Sequence, residues 1–210
     1  MLTRTGTGSI KQIWLCLLIV TILSGCAFGT RRPTLTYPPA SEEPAAAVAQ
    51  AAAPVAAKNM TVVLASFRDE RSDKSTVGTV RNGFGMRTAD VVPNNTVSEW
   101  VTQAVATELR SNGYKVVSGT ASDPKDPNAL WLSGDVLNVF CDMYFSYTGQ
   151  VSLLAKGRNA QGELFTKHYA GEGTAGIAWA ATGDSFAQSL ALALRDALNK
   201  LMADLNAMAP

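Results

Sequence analysis

The sequence is poor in the residues that metal centres and nucleic-acid surfaces require. It has one histidine and three cysteines among 210 residues, and 17% of the residues are charged. Transition-metal sites draw mainly on His and Cys, so this composition argues against one. Eighteen Lys and Arg are balanced by 17 Asp and Glu, which argues against the dense basic face that binds nucleic acid. We therefore expect no metal, no cofactor and no nucleic-acid partner.

An N-terminal secretory signal is the clearest feature that the sequence does contain. Arg4 and Lys11 precede an apolar run over residues 13–20, which is too short to span a bilayer. Leu23-Ser24-Gly25 then stands directly before Cys26. This arrangement resembles the lipobox of bacterial lipoproteins, and the resemblance implies cleavage before Cys26 and lipidation of its thiol. The alternative is an ordinary signal peptide with a cysteine near its end.

One unmodified cysteine remains after these steps. Cys16 leaves with the signal and Cys26 carries lipid, so Cys141 has no partner for an internal disulfide. We expect Cys141 to pack as a small hydrophobic side chain in or beside a strand; a reactive or intermolecular thiol is the alternative. Two of the 18 basic residues also leave with the signal, so 16 remain against 17 acidic ones, a formal charge of −1.

The chain divides into three regions by composition. Residues 1–25 form the signal peptide, 26–58 the lipidated Cys and an Ala/Pro-rich tether, and 59–207 a globular domain. The tether has no apolar periodicity, so we expect a flexible coil of about 30 Å that lets the domain stand off the membrane. Residues 35–39 interrupt it and predict either a short edge strand or a docking stretch.

The domain pattern predicts two amphipathic helices and several strands. The first helix starts at a capping box over residues 96–99 and ends at Asn112-Gly113, and the last starts near Ser185 with a second capping box. Strands are predicted at 60–67, 114–117, 130–140, 144–156 and 163–171, the last three with one apolar and one polar face. Together they predict an α+β two-layer sandwich, an antiparallel β-meander sheet covered on one face by two amphipathic helices.

This order of elements, with the lipobox and the tether, resembles the YajG-type uncharacterised lipoproteins. The stretches that carry the likeness are residues 108–116 and the hairpin over residues 160–165. The resemblance implies an outer-membrane anchor and no assigned catalytic residues.

Three further motifs have structural explanations. Residues 171–176 match G-x-G-x-x-G, but a dinucleotide site needs that turn inside a βαβ unit, so we expect a strand-to-helix connection. Asp69, Glu70 and Asp73 alternate with Arg68, Arg71 and Lys74, which predicts a solvated, self-compensating loop. His168, the only histidine, is expected on a strand. A periplasmic hydrolase built on His168 and Asp142 is the enzymatic alternative.

The loop over residues 81–87 is the strongest candidate for a binding site. Arg81, Phe84, Met86 and Arg87 combine cations with large apolar side chains on a glycine-containing backbone, as recognition loops do. The alternative is a hydrophobic hairpin packed onto the domain.

We thus expect a non-catalytic binding or scaffold domain, anchored through Cys26 to the periplasmic face of the outer membrane. Its partner would be an envelope protein, peptidoglycan or a glycolipid. A second hypothesis is homo-oligomerisation through a free strand edge. A transport-accessory lipoprotein for lipid or glycan export is a further alternative.

Overall fold

Three long strands and two helices make up most of the folded chain. The computed structural model describes residues 29–38, 60–119, 129–177 and 181–208. The signal peptide, Cys26 and most of the predicted tether lie outside these residues. The elements in chain order are β1 (Thr61–Leu64), β2 (Arg68–Asp69), β3 (Gly78–Arg81), β4 (Arg87–Val91), α1 (Val97–Ser111), β5 (Lys115–Ser118), β6 (Ala129–Met143), β7 (Ser146–Asn159), β8 (Gly162–Ile177) and α2 (Gly183–Met208).

Strand β6 organises a curled, mixed sheet. It pairs in parallel with β1, β2 and β3, and antiparallel with β7, which pairs antiparallel with β8. Strand β5 follows α1 in the chain and pairs in parallel with β1. The predicted α+β class is confirmed. The predicted antiparallel meander is wrong for the whole sheet and describes only β6, β7 and β8.

Alternating burial along β7 gives the sheet one apolar face. Tyr147, Gly149, Val151, Leu153 and Ala155 are buried, and the residues between them are exposed or half-buried. The same alternation continues on β8 from Tyr169 to Ala175. These strands carry the period of two that the sequence predicts, since successive side chains of a strand point to opposite faces.

Helix α2 lies directly against β7 and β8 where these strands have glycine. A Cβ atom on Gly171 would lie 2.1 Å from the Ala193 carbonyl oxygen, and one on Gly173 would lie 2.4 Å from that of Ser189. The predicted strand-to-helix connection over residues 171–176 is therefore wrong, since these residues belong to β8. Their glycines let a helix backbone approach a sheet. That α1 covers the same face stays a prediction.

Both helices present the predicted apolar stripes to the core. The buried members are Val97, Trp100, Val101, Ala104, Val105 and Leu109 on α1, and Phe186, Leu190, Leu194, Leu198, Leu201 and Leu205 on α2.

The helix starts differ from the two predicted capping boxes. The Thr96 hydroxyl donates to the Glu99 carboxylate rather than binding a backbone amide. Ser185 lies inside α2, which begins at Gly183, and the Ser185 amide donates to the Thr182 hydroxyl at 3.4 Å. The N-cap of α2 is therefore Thr182 and not Ser185. The end of α1 is as predicted, with Gly113 at φ +82°.

Candidate functional site

The loop between β3 and β4 is fixed by one asparagine side chain. The Asn82 Oδ1 atom accepts hydrogen bonds from the amides of Phe84 and Met86, both at 3.0 Å. The Asn82 amide also donates to the Met86 carbonyl oxygen at 3.0 Å, and Gly85 supplies the positive φ of +80° that the turn needs. The loop holds Phe84 90% exposed and Met86 59% exposed. Both side chains therefore lie on the surface, unlike those of a hairpin packed onto the domain.

The two arginines of this loop bind within the molecule. The Arg81 Nε atom donates to both oxygens of Asp142, at 2.8 and 3.0 Å, and its Nη1 atom donates to the Gly85 carbonyl oxygen. Arg87 forms an exposed ion pair with Asp90, three residues further along the chain. The structure thus brings the four predicted residues together but divides their roles. Arg81 and Arg87 brace the hairpin, while Phe84 and Met86 project from it.

Three further apolar side chains lie at the same end of the sheet. Tyr144 and Phe145 form the turn between β6 and β7, with ring centroids 4.0 Å apart, and the Tyr144 hydroxyl donates to the Gly83 carbonyl oxygen at 3.1 Å. Ile177, at the end of β8, pairs in register with Ser146. Phe145 is 68% exposed and Ile177 73% exposed. We call the group Phe84, Met86, Tyr144, Phe145 and Ile177 the apolar end.

Sequence reasoning missed these three members. The strand predicted over residues 144–156 includes Phe145, but β7 begins only at Ser146, so Phe145 lies in the turn and outside the strand alternation. Tyr144 and Phe145 are adjacent aromatic residues, which interrupts the alternation of apolar and polar residues. This interruption is the sequence signal that could have identified the turn. Ile177 carried no such signal, because strand register alone brings it to this end.

Residues 29–38, predicted as part of the flexible tether, are bonded to the domain. The Arg31 amide donates to the Asp90 carbonyl oxygen at 2.9 Å, and the Val92 amide donates to the Arg31 carbonyl oxygen at 2.8 Å. These two hydrogen bonds form a parallel bridge between Arg31 and Val91 of β4. Leu35 is buried in the core. Its backbone amide and carbonyl both bind the Asn95 side chain, at 2.8 and 3.0 Å.

The far end of this docked segment is held by an aromatic contact. The Tyr37 hydroxyl donates to Glu108 Oε1 at 2.6 Å, and the Arg195 guanidinium lies over the Tyr37 ring at 5.2 Å from its centroid. Burial, followed by the Glu108 hydrogen bond, raises the pKa of Tyr37 above its ordinary value. The Trp100 indole donates to the Thr36 carbonyl oxygen at 3.1 Å. The sequence predicts either an edge strand or a docking stretch over residues 35–39. Residues 35–38 dock onto the domain, and residue 39 lies outside the described residues.

His168 lies on a strand, as predicted, and the pairing with Asp142 that the enzymatic alternative requires is not formed. His168 is exposed on β8, and its Nε2 atom is hydrogen-bonded to the Ser152 hydroxyl. Its partner across β7 is Leu154, whereas Asp142 pairs with Thr148 and binds Arg81. Six residues of β7 separate those partners, or about 20 Å. This overturns the hydrolase site proposed on these two residues, because no proton could pass directly between them.

Two other predictions concern buried groups. Cys141 is fully buried as a free thiol, as predicted, and burial raises its pKa to about 12. The solvated loop predicted over residues 68–74 is wrong for Arg71, which is buried. The Arg71 guanidinium binds both oxygens of Asp69 and the carbonyl oxygens of Lys74 and Thr76, which compensates its lost hydration.

Across the described ranges, the side chains assemble no group of three or more His, Cys, Asp and Glu suited to a metal ion. Among the same residues, neither helix combines the length and the apolar character that crossing a membrane requires.

Comparison with known proteins identifies the family. A family model described as uncharacterized lipoprotein matches residues 47–208, which covers the domain and the end of the predicted tether. The chain belongs to this family. The match confirms the YajG-type resemblance, and membership implies a lipid anchor to a membrane. No curated protein matches the chain significantly.

Several solved structures are similar to this lipoprotein. Protein XCC0632 from Xanthomonas campestris has a TM-score of 0.50 at 13% identity, covering 86% of this chain and 99% of its own. The hypothetical protein CT253 from Chlamydia trachomatis has a TM-score of 0.45 at 8% identity, covering 70% and 95%. At these identities, the first similarity concerns the fold alone.

Proposed function

We propose that this lipoprotein is anchored through Cys26 to the periplasmic face of the outer membrane and carries a non-catalytic binding or scaffold domain. Three features support the anchoring: family membership, the lipobox residues before Cys26, and Ala27 after it. An aspartate after the lipidated cysteine is the inner-membrane retention signal that the lipoprotein resemblance implies, and Ala27 lacks that carboxylate.

The exposed hairpin carries the binding proposal. Phe84 is 90% exposed on a loop that hydrogen bonds of Asn82 and Arg81 brace. Exposing a large aromatic side chain on a braced loop is characteristic of contact surfaces, where Phe, Met and Arg are enriched. A preorganised loop also loses little conformational entropy on binding. The partner is a component of the cell envelope, such as a protein, peptidoglycan or a glycolipid.

A photoreactive amino acid at position 84 tests this proposal in living cells. We expect irradiation to crosslink position 84 to an envelope component. The matched control is position 164, because Leu164 is also exposed but lies at the start of β8, about 43 Å along that strand from Ile177. Equal crosslinking at both positions, or none at 84, would contradict the proposal.

A double substitution then measures the strength of the contact. Phe84→Ala with Arg87→Ala should lower partner capture by about 30-fold, the equivalent of about 2 kcal/mol for a true anchor residue. The thermal midpoint should barely change, because Phe84 is exposed and the Arg87 pair with Asp90 is on the surface. A large drop in the midpoint would instead assign the loop to the folded core.

Self-association is a second candidate, favoured by the edge of β8. Within the described residues this 16-residue strand pairs only with β7, and such an edge is a template for another strand. The same crosslinking experiment, with the photoreactive group at an exposed β8 position such as Thr166, would then yield dimers of this chain. Recovery of monomer alone would exclude this candidate.

A further inference from the structure

We propose that the partner of the apolar end is the lipid bilayer that holds the anchor. This inference rests on the proposed lipidation of Cys26 and identifies what the surface formed by Phe84, Met86, Tyr144, Phe145 and Ile177 contacts. Chain length, chain direction and side-chain chemistry support it independently.

The docked segment leaves little chain between the anchor and the domain. Five residue steps separate Cys26 from Arg31, which is bonded to β4. A fully extended chain covers at most about 3.6 Å per residue, so these steps reach about 18 Å. The domain therefore stays close to the membrane surface. The long Ala/Pro-rich stretch does not separate them, because it follows the docked segment in the sequence.

The parallel bridge orients the described backbone at Arg31. Because Arg31 pairs in parallel with Val91, the chain before Arg31 runs toward the start of β4. That start is Arg87, next to the loop that carries Phe84 and Met86. Five residues of extended chain from Val91 back to Met86 cover about 17 Å. This distance is within the about 18 Å that five residues of extended chain can cover between Arg31 and Cys26.

The chemistry of the apolar end suits a lipid interface. It contains five of the nine large hydrophobic side chains that are exposed among the described residues, and three of the five are aromatic, one of them with a tyrosine hydroxyl group. Such side chains favour the boundary between head groups and acyl chains. The carboxylates of Asp142 and Asp90 are paired with Arg81 and Arg87, so their charge is compensated at this surface. Arg32 is exposed and follows Cys26 by six residues, so its positive charge would be attracted by anionic head groups.

Fluorescence quenching by brominated lipids tests the inference on the complete lipidated protein. Phe84→Cys and, as the matched control, Leu164→Cys are each labelled with bimane, while the buried Cys141 stays unlabelled. Both proteins are reconstituted into vesicles of phosphatidylethanolamine and phosphatidylglycerol, with and without brominated acyl chains. We expect strong quenching at position 84 and little at position 164.

Weak or equal quenching at the two positions would overturn the inference. If position 84 is not quenched but still crosslinks to a protein or to peptidoglycan in cells, the proposed binding function stands and the bilayer is not its partner. Mass spectrometry of the purified protein provides the remaining control. An unmodified Cys26 would overturn both the proposed anchoring and this inference.

Discussion

Replacing Leu35 with alanine tests whether residues 29–38 are part of the folded domain. The Leu35 side chain is 3% exposed and belongs to the main hydrophobic core. Truncating a buried leucine removes its transfer free energy and leaves a cavity, at a cost of 2–5 kcal/mol in comparable cases. If the segment detached while the rest of the domain stayed folded, the loss of stability could not exceed the free energy that holds the segment in place. Because Asn95, Trp100 and Glu108 also hold it, we expect Leu35→Ala to lower the free energy of unfolding by about 2–4 kcal/mol.

Urea denaturation followed by circular dichroism measures this change. A loss of this size would also lower the thermal midpoint by roughly 5–15 °C in a domain of this length. Thr36→Ala is the matched control, since Thr36 is exposed and contacts Trp100 through its backbone carbonyl, which the substitution retains. The control should change the free energy of unfolding by less than about 0.5 kcal/mol. If Leu35→Ala behaves like Thr36→Ala, the segment is a free tether and our account of its docking is wrong.

Three further predictions concern the core and the sheet. Gly173→Ala should lower the free energy of unfolding by about 1–3 kcal/mol or more, because the new Cβ would collide with the backbone of α2. Gly83→Ala, where the Cβ meets open space, should be nearly neutral, and equal melting temperatures would contradict this packing. Burial tends to raise the pKa of Asp135, but its hydrogen bonds with Lys156 and Arg68 lower it more, so the pKa lies below the usual range of an aspartate. Its stabilising contribution is therefore complete above the pKa of an aspartate in the unfolded chain and is lost as the pH falls through the lowered pKa of the folded protein, so Asp135→Asn should flatten the acid side of the stability profile in urea titrations. Cys141 should react with a thiol reagent only in denaturant, because burial raises its pKa to about 12, and rapid labelling of the folded protein would refute this.

Local periodicity made much of the secondary structure predictable. Trp100 and Leu109 recur at helical spacing on α1, and Val151 and Leu153 alternate along β7. All four are buried, as an amphipathic helix and a strand with one apolar face require. These signals need only neighbouring residues, since the period of each element sets which side chains share a face. The helix end at Gly113 was predictable for the same reason, because the left-handed cap favours glycine.

Long-range pairing was not predictable in the same way. The parallel contacts of β1 and β3 with β6 join segments more than 60 residues apart, and no residue pattern in either strand encodes the partner. The glycines at 171 and 173 were misassigned because glycine suits a turn as well as a close helix–sheet contact. Only the position of α2 distinguishes the two.

The candidate site was predictable in part. Phe84 and Met86 were recognised from the composition of their loop, but Tyr144 and Ile177 reach them through strand register. The docked segment was obscured by the prolines and alanines around it, although Leu35 suggested an interruption. Asn95, which binds the Leu35 backbone, lies 60 residues further along the chain, and the sequence around it indicates only a loop.

The Cys26→Ser variant tests the central claim, a lipid-anchored domain in the outer membrane, most directly. Membranes are separated by density and washed with high salt, and the protein is followed in the outer-membrane and soluble periplasmic fractions. We expect the parent protein in the outer membrane and Cys26→Ser in the soluble fraction, because the exposed side chains of the apolar end alone give only reversible binding. If Cys26→Ser still fractionates with the washed outer membrane, the lipid anchor is not what holds this protein there.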